Sequence, residues 1–286
     1  MGNLRTALLA WLFARSQGAN FLLRIEDLDP DRSKPVHEER QLADLRALGI
    51  DWDGEPVRQS ERAPLYTRAL SQLEAAGRVY PCWCTRAEIR EAAEAPHGDL
   101  PEGAYPGTCR HLTDAERAER ERTSERPPAL RLDARGERVS FEDRLHGPVE
   151  GVVDDIVLRR WDGTHAYNLA MVVDDADQDI GEVVRGDDLI DTTPRQLLLA
   201  RLLGLPEPRH AHVPLVLGPD GARLAKRHGA VTLADREASG ESSEETLSRM
   251  GQSLGLATVD ERVTMDDLLA RFDPDRLPRE PNVYVG

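Results

Sequence analysis

The run Phe21-Leu-Leu-Arg-Ile25 is apolar almost without interruption and stops at the acidic stretch Glu26-Asp-Leu-Asp-Pro-Asp-Arg32. A strand buried on both faces reads this way, and such strands belong to parallel sheets covered by helices. Upstream of it, Leu4, Ala7, Leu8, Trp11 and Leu12 recur at helical spacing, with Asn3 placed to cap the helix and Gly18 just past its end. Downstream, helices are predicted near 36–48, closed by Gly49, and near 62–76, closed by Gly77. Helix, buried strand and further helices in succession put the first eighty residues in the α/β class.

At Val79 the texture changes. A cysteine-bearing segment comes first, then charged stretches with capping-box spacing from Thr85 to Glu88 and from Thr113 to Glu116. Short strands are predicted at 129–133, 139–141 and 149–159, so this part reads as an α+β insertion. After Trp161 the α/β texture returns: Tyr167 to Val173 is apolar, Glu182 to Arg185 is a short strand, and Thr193-Pro194 opens a helix that Gly204 ends. A strand over His212 to Leu217 follows. The tail offers two short helices, capped near Ser242 and Thr264. The expected organisation is an α/β unit in two halves, 1–78 and 161–235, an insertion at 79–160, and a small helical segment at 236–286.

The 286 residues are long enough for a sizeable core. A formal charge of −15 argues against a protein that coats nucleic acid, although a confined basic groove stays compatible with it. No apolar run approaches bilayer length, and the first fifteen residues place Arg5 and Arg15 around an amphipathic helix, unlike a secretory signal. A cytoplasmic monomer without membrane attachment is the expectation. Three cysteines, with Cys82 and Cys84 one residue apart, suit metal binding better than disulfides in a reducing compartment.

The chain has two lysines, Lys34 and Lys226, against thirty-five arginines. An ammonium kept at one site in such a sequence suggests a need for a compact, flexible point charge. Lys226 follows the turn Gly218-Pro-Asp-Gly221 and lies in Ala222-Arg-Leu-Ala-Lys-Arg-His-Gly229, a small-residue, basic loop suited to polyphosphate.

That loop and Leu22-Leu-Arg-Ile-Glu-Asp-Leu-Asp-Pro-Asp-Arg32 together resemble the class I aminoacyl-tRNA synthetases of the glutamyl group. Arg223-Leu-Ala-Lys-Arg227 is similar to their KMSKS loop, and Met1 to Arg15 resembles the helix that opens with their HIGH motif. Tyr167-Asn-Leu-Ala-Met-Val-Val-Asp-Asp175 and Val184-Arg-Gly-Asp-Asp188 match in family order. Only 59 residues follow Arg227, which favours the short glutamyl-Q tRNA(Asp) synthetases over the long enzymes with an anticodon-binding region. The resemblance implies a Rossmann-like catalytic domain with an inserted zinc-bearing subdomain. It also implies ATP-dependent activation of L-glutamate and its transfer to the queuosine base of tRNA(Asp), held by the anticodon stem-loop. A fragment charging tRNA(Glu) and a non-catalytic zinc-bearing tRNA-binding paralogue are the alternatives.

Activation requires the glutamate carboxylate to attack the α-phosphate of magnesium-bound ATP while charge builds on phosphate oxygens. Lys226 is the candidate phosphate ammonium and catalytic group, and Gly2 and Asn3 would offer amides at a helix N-terminus. Glu26, at a strand's carboxyl end, would hold the substrate ammonium. Tyr167 would donate a hydrogen bond, and Arg185 would pair with a carboxylate, bidentately if the geometry allows. His165 reads as a loop histidine. For the metal, Cys82, Cys84 and Cys109 need a fourth ligand. Chemistry favours His97 or His111, because a phenol must first lose a proton of high pKa; the family's pattern, C-x-C followed by Y-x3-C, implies Tyr105.

The family's opening segment, resembling R-F-A-P-S-P-[TS]-G-x-L-H, has no counterpart here. Met1 falls on the second letter of HIGH and Asn3 on the fourth. The resemblance therefore implies an N-terminally truncated form, lacking the innermost parallel strand and the first HIGH histidine. An upstream start or a truncated paralogue would account for it, and poor glutamate activation by the 286-residue chain is expected.

Overall fold

The computed structural model describes residues 1–286 except 32, 94–103, 225, 230–231 and 285–286, with only the backbone described at 92, 93 and 226. The elements run α1 (Gly2–Ser16), β1 (Arg24–Ile25), α2 (Pro35–Ala47), β2 (Val57–Arg58), α3 (Ala63–Ala75), β3 (Val79–Cys82), α4 (Arg86–Ala93) and α5 (Asp114–Thr123). There follow β4 (Ala129–Leu132), β5 (Arg138–Asp143), β6 (Gly147–Val152), β7 (Val157–Arg159), α6 (Tyr167–Asp177), β8 (Glu182–Gly186), α7 (Thr193–Leu203) and β9 (Arg209–Val213). The chain closes through β10 (Val216–Leu217), α8 (Leu233–Ala238), α9 (Ser243–Ser253), α10 (Met265–Arg271) and β11 (Asn282–Val283).

Helix starts follow local chemistry. Prolines occupy the first turn of α2, α3 and α7, where a missing N–H costs nothing. Thr113, Thr232, Ser242 and Thr264 each close a capping box with the carboxylate three residues on. α7 ends at Gly204, whose φ of 65° is a left-handed conformation that glycine adopts without penalty.

The expected cap at Asn3 is not formed. Met1 is the N-cap of α1 and makes no side-chain cap, so Asn3 lies inside the helix. The strand expected over 21–25 shrinks to Arg24–Ile25, paired in parallel with Val57–Arg58. The strand expected over 149–159 divides, because Asp154 and Asp155 turn their carboxylates to Arg195, Tyr80 and Arg110. The strand expected over 212–217 also divides, at Pro214, which has no N–H for a ladder.

Four small sheets result: β1-β2, β10-β11, β3-β4-β7 and β6-β5-β9-β8. In the last, β9 runs parallel to both β5 and β8. One core joins Tyr66, Leu70 and Leu73 of α3 to Leu132, Val139 and Leu158 of the strand-rich segment and to Leu169, Leu198 and Leu199 of α6 and α7. Packing thus runs across the sequence boundary expected near 160. A second core packs Leu8, Leu9, Leu12 and Phe13 of α1 against Ala211 and Val213 of β9 and against the C-terminal helices. No helix among the described residues is long and apolar enough to cross a membrane.

Candidate active site

Among the described residues, β1 pairs only with β2 and β8 only with β9, and both strands line one cleft of about 690 Å³ beneath α1. Glu26 follows the last residue of β1, Arg185 is near the end of β8, and Tyr167 is the first residue of α6. All three line the cleft, together with Arg24, Met171, Asp175 and Gln178.

Arg185 is buried, with 8% of its surface exposed, and among the described residues no carboxylate is bound to it. Its Nε donates to His212 Nε2 at 3.1 Å and its Nη1 to Gln196 Oε1 at 2.8 Å. Its Nη2 donates to Thr193 Oγ1 at 2.8 Å and the Leu189 carbonyl at 3.4 Å. These four bonds engage four of its five N–H groups, and the Tyr167 hydroxyl is a further hydrogen-bonding neighbour. A two-pronged grip on a carboxylate would displace one of these partners, so the mount favours a single strong bond. Burial lowers the guanidinium pKa, opposed by Tyr167 and Asp175. A Cβ on Gly186 would stand 2.6 Å from Asp188 Oδ1 and 2.9 Å from Leu215 Cδ2, so those side chains would have to shift to admit one.

Glu26 opens to the cleft, and its carboxylate makes no hydrogen bond or ion pair among the described residues. Crowding by surrounding atoms raises its pKa; Arg24 pulls it down and Asp175 and Asp174 push it up. The salt bridge that could have tied Glu26 to Arg24 is absent from this set, because Arg24 instead binds Asp175 Oδ1 at 2.9 Å and Gln178 Oε1 at 2.9 Å. Tyr167 is 40% exposed; desolvation and then Glu26 raise its phenol pKa. The cleft thus presents a free carboxylate, a phenol and a fixed guanidinium, a set suited to an amino acid with a second carboxylate. His165 does not line the cleft and lies edge-on to Tyr66, with ring centroids 5.5 Å apart.

The partners that mount Arg185 were not legible in the sequence. Asp143, Thr193, Gln196 and His212 come from four separate positions and share no motif. Their one signal is a histidine set within the apolar run from Ala211 to Leu217.

The side chain of Lys226 lies outside the described residues; its backbone starts a short 3-10 turn, Lys226–His228. The loop around it is anchored twice. Arg223 Nη1 donates to Asp188 Oδ2 at 2.6 Å, which ties the loop to the segment following Arg185. The His228 ring lies against Gly218, where a Cβ would come within 2.5 Å of it, and its Nε2 is 3.1 Å from Asp220 Oδ2. Gly2 and Asn3 do not line the Glu26 cleft. They sit in the first turn of α1, where a Cβ on Gly2 would be 3.9 Å from Val216 Cβ, beside the strand that enters the Lys226 loop.

Away from the cleft, the sulfurs of Cys82, Cys84 and Cys109 lie within 4.8 Å of one another. The Tyr105 hydroxyl is 3.4 Å from Cys82 Sγ and 3.6 Å from Cys84 Sγ, and Cys84 and Cys109 Sγ are 3.5 Å apart. The Tyr105 hydroxyl is thus the oxygen beside the three sulfurs, while His111 is exposed and His97 lies outside the described residues. Hydrogen bonds from Cys109 and Cys84 hold the Cys82 pKa low, whereas burial and then the Cys82 and Cys84 sulfurs push the Tyr105 phenol up; the Arg131 guanidinium stands 3.8 Å from the Tyr105 ring centroid. Three converging thiols with a phenol oxygen fit a tetrahedral zinc set.

Over residues 1–284 the chain matches the family model of the class I tRNA synthetases (E and Q), catalytic domain. It is 62% identical over 98% of its length to a glutamyl-Q tRNA(Asp) synthetase of Nocardia farcinica, covering 88% of that protein, and 50% identical over 98% to one of Symbiobacterium thermophilum, covering 90%. Among solved structures it is similar to a glutamate tRNA ligase of Elizabethkingia meningosepticum in complex with its amino acid. That likeness has a TM-score of 0.83 and 26% identity, and covers 99% of this chain and 64% of that one. The chain belongs to the class I tRNA synthetases (E and Q) and folds as their catalytic domain.

Proposed function

We propose that the chain activates L-glutamate with ATP and transfers it to the queuosine base of tRNA(Asp). The observation that carries this reading is the cleft itself, where Glu26 and Arg185 at two strand ends meet the half-exposed Tyr167 at the start of α6. High identity over nearly the full length to relatives named for that reaction supports it.

Glu26 holds the substrate ammonium, Tyr167 donates to the substrate, and Arg185 binds the side-chain carboxylate. The α-carboxylate attacks the α-phosphorus of magnesium-bound ATP; the bond to pyrophosphate breaks and glutamyl-adenylate forms. Lys226 meets the phosphate charge, and the amides of Gly2 and Asn3 add helix-terminal polarity. A hydroxyl on the tRNA anticodon stem-loop then attacks the activated carbonyl, releasing AMP. Holding both reactants in line supplies most of the rate. Cys82, Cys84, Tyr105 and Cys109 would hold one structural zinc, which when bound would organise the small core of Tyr80, Trp83 and Tyr105.

The test is glutamate-dependent ATP–pyrophosphate exchange, followed by transfer of labelled glutamate to tRNA(Asp) with and without queuosine and to tRNA(Glu). Label on queuosine-bearing tRNA(Asp) alone is expected. Label on tRNA(Glu) would favour the acceptor-charging alternative, and binding without pyrophosphate release would favour the non-catalytic one.

A further inference from the structure

Arg185 is aimed from behind by a buried pair that never reaches the cleft. His212, in β9, is 0% exposed, and Asp143, at the end of β5, is 1% exposed. β5 and β9 run parallel, which brings the two strand ends together. Arg185 Nε lies 3.1 Å from His212 Nε2, and Thr193 Oγ1 lies 3.1 Å from the same nitrogen. A guanidinium can only donate, so Nε2 must carry a lone pair. The ring proton then sits on Nδ1, which is 2.6 Å from Asp143 Oδ2, an acceptor only. Donor on one side and acceptor on the other admit a single tautomer. Asp143 is itself held by the N–H groups of Leu145 at 2.9 Å and His146 at 3.0 Å. His210 stacks on the His212 ring with centroids 5.9 Å apart and planes 4° from parallel.

We propose that Asp143 and His212 are positioning residues for glutamate recognition: Asp143 fixes the His212 tautomer, and the bare Nε2 of His212 aims the Arg185 guanidinium at the substrate carboxylate. This rests on the reading of the cleft as a glutamate site. Neither residue lines the cleft, so each acts only through Arg185. Groups behind a binding residue contribute by holding it ready, so that binding does not require it to reorganise.

The variant Asp143→Asn tests the mechanism directly. Its amide oxygen stays on the Leu145 and His146 N–H groups, which places the NH2 against His212 Nδ1 and against the His212 backbone N–H, from which Oδ2 accepts at 3.1 Å in the wild type. The ring proton must then move to Nε2, where it opposes the Arg185 N–H. His212→Leu removes the acceptor altogether, whereas His212→Gln keeps an acceptor oxygen that needs no tautomer.

Calorimetric titration with glutamate is expected to show Kd raised about tenfold or more in Asp143→Asn and His212→Leu, the usual scale for losing a group that orients a ligand-binding residue. ATP affinity should stay within about twofold, and His212→Gln within about threefold of wild type. The double variant Asp143→Asn/His212→Gln should bind glutamate more tightly than Asp143→Asn alone. Nitrogen-15 shifts of the His212 ring in ligand-free protein should report a proton on Nδ1 in wild type and on Nε2 in Asp143→Asn. A wild-type proton on Nε2, or unchanged glutamate affinity in the single variants, overturns the proposal. Equal losses in all variants that track a falling Tm also overturn it, because they mark a merely structural role. Wild-type protein with no glutamate affinity sinks the substrate reading and the proposal with it, whereas binding that no variant disturbs sinks the proposal alone.

Discussion

Replacing Arg185 by Lys would keep a positive charge in the cleft and lose the planar fork that His212, Gln196 and Thr193 hold in place. A charged hydrogen bond of this kind contributes about 3 kcal/mol, so glutamate kcat/KM should fall on the order of 100-fold while the KM for ATP is little changed. Steady-state kinetics in both substrates checks the split. Glu26 makes a complementary prediction in pH. Its folded pKa is raised by desolvation, and only the ionised form holds an ammonium. Glutamate kcat/KM should therefore fall as pH drops through that raised pKa, and Glu26→Gln should flatten this acid limb while lowering activity above it. Glu26, Tyr167 and Arg185 were legible because each stands at an element end within a motif. The Asp143 and His212 pair was not: 69 positions separate the two, and only the β5–β9 pairing brings them together.

At the scale of elements, what was legible was local. Capping boxes predicted at Thr85 and Thr113 form, and the caps expected near Ser242 and Thr264 prove to be capping boxes too, since each needs only residues three apart. Strand lengths were less legible, because a ladder depends on a partner from elsewhere. Asp154 and Asp155 end a strand that apolar pattern alone would continue, and their arginine partners lie 41 and 45 positions away. The cysteine cluster stands between these cases. Its members could be named from spacing, while the proximity of the Tyr105 hydroxyl needed coordinates. One zinc per chain is expected by atomic absorption. Cys84→Ser should reduce that content and lower the Tm, whereas Tyr105→Phe should weaken zinc retention against a chelator with the three thiols still in place.

Across the whole molecule, α1 is tied to distant segments by Arg5, which is 4% exposed. Its Nη1 donates to the Pro214 carbonyl at 2.8 Å and its Nε to Ser253 Oγ at 2.9 Å. Burial lowers its pKa to about 10, and its bonds go to carbonyls and a hydroxyl. Arg5→Ala would strand the Pro214 carbonyl and open space between α1 and α9, at a cost of about 3 kcal/mol. A thermal melt should show this as a lower Tm, with zinc content unchanged. By itself, the sequence determined helices such as α3 and α7, the caps at Thr85, Thr113, Ser242 and Thr264, and the motif residues at element ends, because hydrogen bonds and side-chain periodicity within a few residues decide those features. Tertiary structure alone decided where strands stop, that one core crosses the boundary near residue 160, and which buried groups aim Arg185. Those outcomes depend on donors and acceptors far apart in the chain, and no local pattern records which of them will meet.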